Sequence, residues 1–404
     1  MDWLVAFNAL RAVYIDGAFS NIAINDAVAE HPNCQSSFVR TFVKGVIRNT
    51  MLLDYYIDKL AAKGISGIKK RTLIILRMGL YAITSLDSVP DYAACNEAVG
   101  LAKKVSRGSD RFVNGLLRSY IREKDAIKLE NSFEKDSDEL LSVKYSFPLE
   151  LVRLIRSQYS DETETLLAAL NTAAPLVLRP NRLKGMNPEP IIAEGNVIAS
   201  DDFREGRYSV QSLSSIEAIE HFAPITGSRV LDMCAAPGGK SCAMAEIMGN
   251  QGEIIACDIY EHRLELIDAQ AKRLGIDIIQ TALLDGTVHR DDYDNRFDYV
   301  LADVPCSGLG VIPSKPEIKL RTDVASYDEL TDIQYSILHN AIKYAKVGGR
   351  IEYSTCTINK NENYELVKRV LDNCNCVQIV ENTSILPYNS KVGFYYCILE
   401  KINL

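Results

Sequence analysis

The chain has 404 residues, with 45 Lys and Arg against 53 Asp and Glu for a net charge of −8, and 47% hydrophobic residues. That length exceeds one ordinary core and predicts a multidomain protein, while no apolar run approaches the roughly 20 residues that span a bilayer. The opening MDWLVAFNALRAVYID is interrupted by Asp2, Asn8, Arg11 and Asp16, so it offers no continuous signal-peptide core, and a cytoplasmic location is expected.

Ten cysteines are scattered without a CxxC pair, which argues against a disulfide scaffold or a standard zinc site and for a reducing compartment. Cys374 and Cys376, separated only by Asn375, are expected to be two ordinary buried cysteines. No metal is called for.

Charge divides the chain unevenly. Residues 1 to 124 carry 17 Lys and Arg against 11 Asp and Glu, or +6; the remainder has 28 against 42, or −14. A basic N-terminal part suits a polyanionic partner, although a solvated helical surface is the plainer reading. Within the first 147 residues only Pro32 and Pro90 interrupt a three-and-four spacing of apolar residues. Phe38, Phe42 and Val46, then Leu52, Tyr55, Tyr56 and Leu60, line one helical face; Leu73, Leu76, Leu80 and Ile83 continue a second helix. Asp91 or Asn96 starts the next, and Gly108 to Asp110 punctuate before Arg111 to Arg122. This predicts an all-helical domain of about 120 residues.

The stretch KDAIKLENSFEKDSDE, from Lys124 to Glu139, is charge-dense and poor in core formers and reads as a linker, helical in part. From Tyr145 to Pro224 two amphipathic helices, Leu149 to Tyr159 and Thr163 to Asn171, mix with short apolar strands such as PLVLRP and NVIAS in a small α+β module. After Ser228 the rhythm becomes strand, turn, helix: RVLDMC, EIIACD, DIIQTALL, FDYVLADV and GRIEYSTC are the strands, with helices over Glu261 to Leu274 and Asp328 to Lys346. Such alternation specifies an α/β domain with a mostly parallel sheet, helices on both faces, and ligands beyond the carboxyl ends of its strands.

The chemistry-bearing residues fall at those strand ends. LDMCAAPGGKS, Leu231 to Ser241, joins a strand to a helix, and Gly238 and Gly239 allow a ligand to approach the backbone. It is not a Walker A loop, whose first glycine would fall at Cys234, and GLGVIP at Gly308 to Pro313 lacks the third glycine of a dinucleotide fingerprint. Plain packing is the competing account of the turn. Asp258, Asp285 and Asp303 end successive strands; each alone could cap a helix or form a turn, but together they resemble the wall of a nucleoside-containing cofactor site. Cys306 in DVPCSG and Cys356 in EYSTCT follow strands on the same edge, where a thiol can be exposed and activated rather than buried.

CAAPGGK, DVPCSG and YSTCT, in this order and spacing, resemble three signature motifs of the Sun family of RNA 5-methylcytosine methyltransferases, from about residue 145 to the end. IRNTMLLDYYID, LRMGLYAI and SDRFVNGLLR resemble the NusB RNA-binding domain, a pairing characteristic of bacterial small-subunit rRNA methyltransferases. The resemblance implies four parts: a NusB-like RNA-binding domain at 1–125, the charged linker at 126–144, an RNA-contacting module at 145–225, and a Rossmann-like class I methyltransferase domain at 226–404. It also implies S-adenosylmethionine as cofactor, held by Cys234, Ala235, Ala236, Pro237, Gly238, Gly239 and Lys240, then Asp258, Asp285 and Asp303. Cys356 is the implied nucleophile, Cys306 helps release product, and Asp303 also lies near the edge of the target cytosine. The implied partner is small-subunit ribosomal RNA, naked or in an early assembly particle, met by a monomer without membrane or metal.

The chemistry accounts for those residue types. Carbon 5 of cytosine is a poor nucleophile until a thiolate adds to carbon 6 and makes an enamine. An acid at N3 or the amine, the role open to Asp303, stabilises that adduct, and a base such as Cys306, or one that it positions, then takes the carbon 5 proton. The target must be unpaired or flipped, at a cost of about a few kcal/mol that phosphate contacts offset. KPEIKLR, Lys315 to Arg321, could touch the RNA backbone or be a solvated loop. The family usually has an acid and a glutamine in a QDxxSQ pattern upstream, where this chain reads VQSLSS; Gln211 is kept and Ser212 replaces the acid. Two other readings remain open: a NusB-like RNA-binding factor with a decayed catalytic domain, and a small-molecule methyltransferase of the same fold.

Overall fold

The structure is a computed structural model that describes residues 1–193, 195 and 197–404. The chain forms two compact units, Met1–Thr172 with Ser314–Thr322, and Ala173–Pro313 with Asp323–Leu404.

The first unit is helical, as expected: α1 Asp2–Tyr14, α2 Ser20–Ala29, α3 Ser36–Arg48, α4 Thr50–Leu60, α5 Lys70–Ser85, α6 Asp91–Val105, α7 Asp110–Glu123, α8 Asp138–Tyr145, α9 Leu149–Tyr159 and α10 Thr163–Leu170. The expected apolar stripe is the core: Phe42, Val46, Leu76 and Leu80 are fully buried, with Trp3 packed edge-on to Phe42 at 4.9 Å between centroids. The charged stretch after α7 is folded onto this unit, because Phe133 packs on Tyr55 and Tyr55 Oη donates to Ser132 Oγ at 2.7 Å. Ser137 then caps α8 by accepting from the Leu140 N–H. Helices α9 and α10 group with these helices, and the chain divides after Thr172.

The second unit opens with a three-stranded antiparallel sheet, β1 Leu176–Pro180, β2 Ile191–Ala193 and β3 Tyr208–Val210, ordered β2-β1-β3. PLVLRP supplies β1 as expected. NVIAS does not form a strand: Asn196 lies outside the described residues, and Val197–Ala199 make a 3-10 turn whose Val197 carbonyl accepts from both Ser200 N–H and Ser200 Oγ. Short α11, Asp201–Arg204, and α12, Leu213–Phe222, follow.

The chain then builds β4 Arg229–Asp232, α13 Gly239–Ile247, β5 Glu253–Asp258, α14 Glu261–Leu274, β6 Ile279–Leu283, β7 Phe297–Asp303, α15 Tyr327–Tyr344, β8 Ala345–Thr355, α16 Tyr364–Leu371, β9 Val377–Ile385 and β10 Phe394–Lys401. The seven strands run β6-β5-β4-β7-β8-β10-β9. All five expected strands are present and parallel, while β10 pairs antiparallel with β8 and β9, a hairpin the sequence reading does not contain. Helices cover both faces. Ile337, Leu338, Leu366 and Val367 of α15 and α16 pack on one, and Phe222, Cys242, Met244 and Leu274 of α12, α13 and α14 on the other. Strand order reverses between β4 and β7, and a crevice beyond their carboxyl ends is where a ligand binds in such sheets.

Candidate active site

The glycine turn lies at that reversal. Met233 N–H donates to Leu301 O on β7 and Ala235 N–H to Cys257 O on β5, so the loop is pinned to the strands on both sides of β4. Gly238 adopts φ 98°, closed to side-chain-bearing residues, and begins α13 as its cap. A Cβ there would meet the Ile267 backbone at 3.2 Å, whereas one on Gly239 would meet nothing within 4 Å, so the turn is tight behind and open in front.

Around this turn the structure gathers carboxyl groups and one ammonium. Lys240 Nζ donates to Asp303 Oδ2 at 2.6 Å, and Ser354 Oγ donates to Asp303 Oδ1 at 3.1 Å. Burial works against the Lys240 charge, but Asp303, then Glu352 and Cys356, hold its pKa above the usual value. Asp232, fully buried at the end of β4, accepts from Ser241 Oγ at 2.6 Å; burial pushes this carboxyl up to about 7 against the hydrogen bonds of Ser241 and the Cys234 backbone. Asp258, at the end of β5, is bound by Arg263 Nη1 and the Tyr260 N–H, and Arg263 Nη2 also reaches Ala236 O. Asp285, just past β6, accepts from the Thr287 N–H and hydroxyl, a local turn bond. The three strand-end acids therefore differ: Asp303 joins Lys240, Asp258 is shared with an arginine, and Asp285 closes its own loop.

The two expected cysteines do meet. Cys306 Sγ lies 3.4 Å from Cys356 Sγ, both half-buried. The hydrogen bond to Cys356, with burial, pushes the Cys306 thiol well up, so it keeps its proton. Beneath them, fully buried Glu362 accepts from the Ser307 N–H at 2.8 Å, Gln334 Nε2 at 3.0 Å and Asn359 Nδ2 at 2.9 Å. Ser307 Oγ and Thr357 Oγ1, each one residue past its cysteine, are 2.7 Å apart. This network fixes the loops after β7 and β8 to one another. Gly310 N–H donates to Cys356 O, and a Cβ on Gly310 would fall 2.0 Å from Gly393 O and 2.8 Å from Cys356 O. Sequence reasoning missed Asp232, Glu352, Glu362 and Gln334, although Asp232 and Glu352 stand inside the motifs it quotes.

Other expectations change. KPEIKLR is neither a solvated loop nor an open RNA contact through its middle. Within the first unit, Lys319 is fully buried and donates to Arg48 O, Tyr145 O and Asn171 Oδ1 at 2.7, 2.9 and 2.6 Å, over the Phe147 ring. Glu317, 1% exposed, accepts from Ser20 N–H; only the flanking Lys315 and Arg321 are exposed. Cys374 and Cys376 are not two ordinary buried thiols: they are half-buried and joined as a disulfide, their Cα atoms 5.5 Å apart across Asn375. Gln211 binds Arg179 and Ser215, and Ser212 caps α12, so the altered VQSLSS segment serves packing. Among the described residues His289, Asp291 and Asp294 group before β7, at the other end of the strands, where His289 Nε2 already pairs with both carboxylates. No helix of the described residues is long and apolar enough to cross a membrane.

A doubly wound sheet with a glycine turn at its reversal and acids at successive strand ends is the framework of an S-adenosylmethionine-dependent methyltransferase. Comparison with known proteins narrows the class. Residues 219–399 match the family described as 16S rRNA methyltransferase RsmB/F, and residues 4–122 match the NusB family. A Bacillus subtilis (strain 168) protein named "Probable ribosomal RNA small subunit methyltransferase B" is 31% identical, covering 90% of this chain and 86% of its own. A Synechocystis (strain PCC 6803) protein of the same name is 32% identical over 91% of this chain and 88% of its own. The crystal structure of PH0851 shares the fold, with TM-score 0.82, 24% identity and 98% of each chain covered. The chain belongs to the RsmB/F family of RNA methyltransferases, with a NusB domain at its N-terminus.

Proposed function

We propose that this enzyme methylates carbon 5 of a cytosine in small-subunit ribosomal RNA, with Cys356 as the nucleophile. The observation that carries the reading is the pair of thiols at 3.4 Å beside the Lys240–Asp303 ion pair, at the carboxyl edge of the sheet. The names of the relatives support the RNA class. Residues Cys234–Lys240, with Asp258, Asp285 and Asp303, would hold S-adenosylmethionine: the open space in front of Gly239 lets a ligand approach the turn closely. When bound, that cofactor supplies the electrophilic methyl group that carbon 5 takes.

The chain's own groups do the rest. With the Cys306 thiol keeping its proton and taken as the donor of the pair, Cys356 gives its own proton to water and adds as the thiolate to carbon 6. Asp303 faces the ring edge and stabilises the charge that addition puts on N3 and the amine. Water takes the carbon 5 proton, since the protonated Cys306 is a donor and not the base, and the electrons of that bond expel the Cys356 sulfur from carbon 6, to which the Cys306 S–H then donates.

The test is transfer of label from S-adenosylmethionine to small-subunit rRNA taken from cells lacking this gene. Cys356→Ala is expected to abolish transfer, and methylation unchanged by it would sink the mechanism. Cys306→Ala is expected to accumulate a gel-stable protein–RNA adduct, because the expelled sulfur loses its donor.

A further inference from the structure

With Cys374 and Cys376 joined, eight of the ten cysteines are free thiols. Cys95, Cys242, Cys257 and Cys397 are buried, out of reach of an oxidant carried in water. Cys34, Cys234, Cys306 and Cys356 are half-buried, and among the described residues Cys306 and Cys356 are the two of these whose sulfurs are in contact, at 3.4 Å. A disulfide holds its sulfurs about 2.05 Å apart, so this pair stands about 1.3 Å from a covalent bond.

The main chain already holds the two loops in place for that closure. Ser307 Oγ and Thr357 Oγ1, each one residue past a cysteine, are 2.7 Å apart. Glu362 accepts from the Ser307 N–H at 2.8 Å and from Asn359 Nδ2 at 2.9 Å, and the Gly310 N–H donates to Cys356 O at 3.0 Å. These bonds keep the loops after β7 and β8 from drifting apart, and turning the cysteine side chains about χ1 is what remains for the sulfurs to meet.

The two thiols are not equivalent. Its hydrogen bond to Cys356, with burial, pushes the Cys306 thiol well up, and a thiol that keeps its proton reacts slowly with an oxidant, because the thiolate is the reactive form. Cys356 is the sulfur that ionises for the reaction, so oxidation begins there. The first product on a thiolate is a sulfenic acid, which a neighbouring thiol converts to a disulfide and which, without one, goes on to sulfinic and sulfonic acids. A neighbour at 3.4 Å favours the disulfide.

We propose that Cys306 is also the resolving thiol of Cys356: hydrogen peroxide closes the pair to a disulfide, which stops methyl transfer reversibly and shields the nucleophile from further oxidation. The pairing stands on the geometry of the two sulfurs; the loss of transfer rests on the cytosine reading above. In the first step the Cys356 sulfur takes one oxygen of the peroxide. Its S–O bond forms as the O–O bond breaks, and the departing hydroxide takes up the proton that Cys356 released and becomes water. In the second step the Cys306 sulfur attacks the Cys356 sulfur. The S–S bond forms as the S–O bond breaks, and the hydroxide set free takes the Cys306 proton as a second water. Two electrons have passed from the two thiols to the peroxide, and a dithiol such as dithiothreitol returns them.

The test treats the full chain with hydrogen peroxide, blocks the remaining thiols and maps the peptides by mass. The expected result is that the peptides carrying Cys306 and Cys356 are linked and lighter by two hydrogens. Transfer of label from S-adenosylmethionine to unmethylated small-subunit rRNA is expected to fall in proportion to the linked fraction and to return with dithiothreitol. Cys306→Ala and Cys306→Ser, compared by mass alone, are expected to carry Cys356 as sulfinic or sulfonic acid, which dithiothreitol does not reverse. The map of the unaltered chain decides the pairing even where neither variant folds. No linked peptide in that chain overturns the proposal, as does an equal sulfinic fraction at Cys356 with and without the Cys306 thiol. Linked protein that still transfers methyl overturns the switch and the cytosine mechanism together, whereas absent linkage leaves that mechanism to its own Cys356→Ala test.

Discussion

Gly310 shows how finely the nucleophile is seated. Its N–H holds the Cys356 carbonyl, and its missing side chain lets the Gly393 backbone pass within reach, so even one methyl group would have to displace two main-chain oxygens. Gly310→Ala is expected to cost about 1–3 kcal/mol in unfolding free energy, as overpacking does, and to lower methyl transfer by more than that loss of folded protein explains. Denaturant unfolding beside single-turnover transfer checks it; equal rates at equal folded fraction would contradict the assigned role. At this scale the sequence was most informative where a residue's task is local. Asp303 ends β7, Lys240 opens α13, and Cys306 and Cys356 follow β7 and β8 on one edge of the sheet, places that follow from the strand and helix alternation. Glu352 and Glu362 were illegible because no local pattern marks a carboxyl as buried: the strands beside β8 cover Glu352, and the loop after β7 covers Glu362 in its 3-10 turn. Cys374 and Cys376 failed for the opposite reason: burial was assumed where proximity decided.

Among the elements, the loops after β7 and β8 work as one piece, and Glu362 is the peg between them. Removing it leaves the Ser307 N–H without its buried acceptor and takes one acceptor each from Asn359 and from Gln334, which also donates to Pro305 O. Glu362→Ala is expected to lower stability by about 1–3 kcal/mol through the unsatisfied Ser307 N–H and the lost acceptor, and to widen the spacing of the two thiols. The readout is loss of the adduct in the Cys306→Ala background, because a displaced Cys356 cannot reach carbon 6; an undiminished adduct would refute it. Helices and parallel strands were readable from period and from glycine, proline and serine punctuation. The β9–β10 hairpin was not, because β10 runs FYYCILEK without alternation and its place is set by pairing with β8, 40 to 50 residues away in sequence. NVIAS misled because its composition suits a strand while Ser200 draws the backbone back onto Val197.

For the whole molecule, a net charge of −8 conceals a helical unit with an exposed basic rim. Thr72 Oγ1 and Ser106 Oγ, 2.9 Å apart, bring the start of α5 against the end of α6, and Lys69, Lys70, Arg71, Lys103, Lys104 and Arg107 around that junction are all exposed. Replacing Lys70, Arg71 and Lys104 with Glu is expected to weaken RNA binding and to reduce the slope of log K against log salt by about 0.7 per lost phosphate contact. An unchanged slope in a titration of the full chain would place the RNA elsewhere. Length and charge asymmetry made this division of labour legible; where the chain divides was not, because the charged stretch after α7 looks like a tether and folds as part of the helical unit.

Nine residues from the catalytic half of the sequence, Ser314–Thr322, are counted among the helices. Lys319 among them donates to two main-chain carbonyls and an amide oxygen from three separate stretches of the helical unit. A polypeptide stopped at residue 172 would keep these three acceptors and lose the buried ammonium that gathers them, and it is expected to melt below the helical unit of the full chain in a thermal scan.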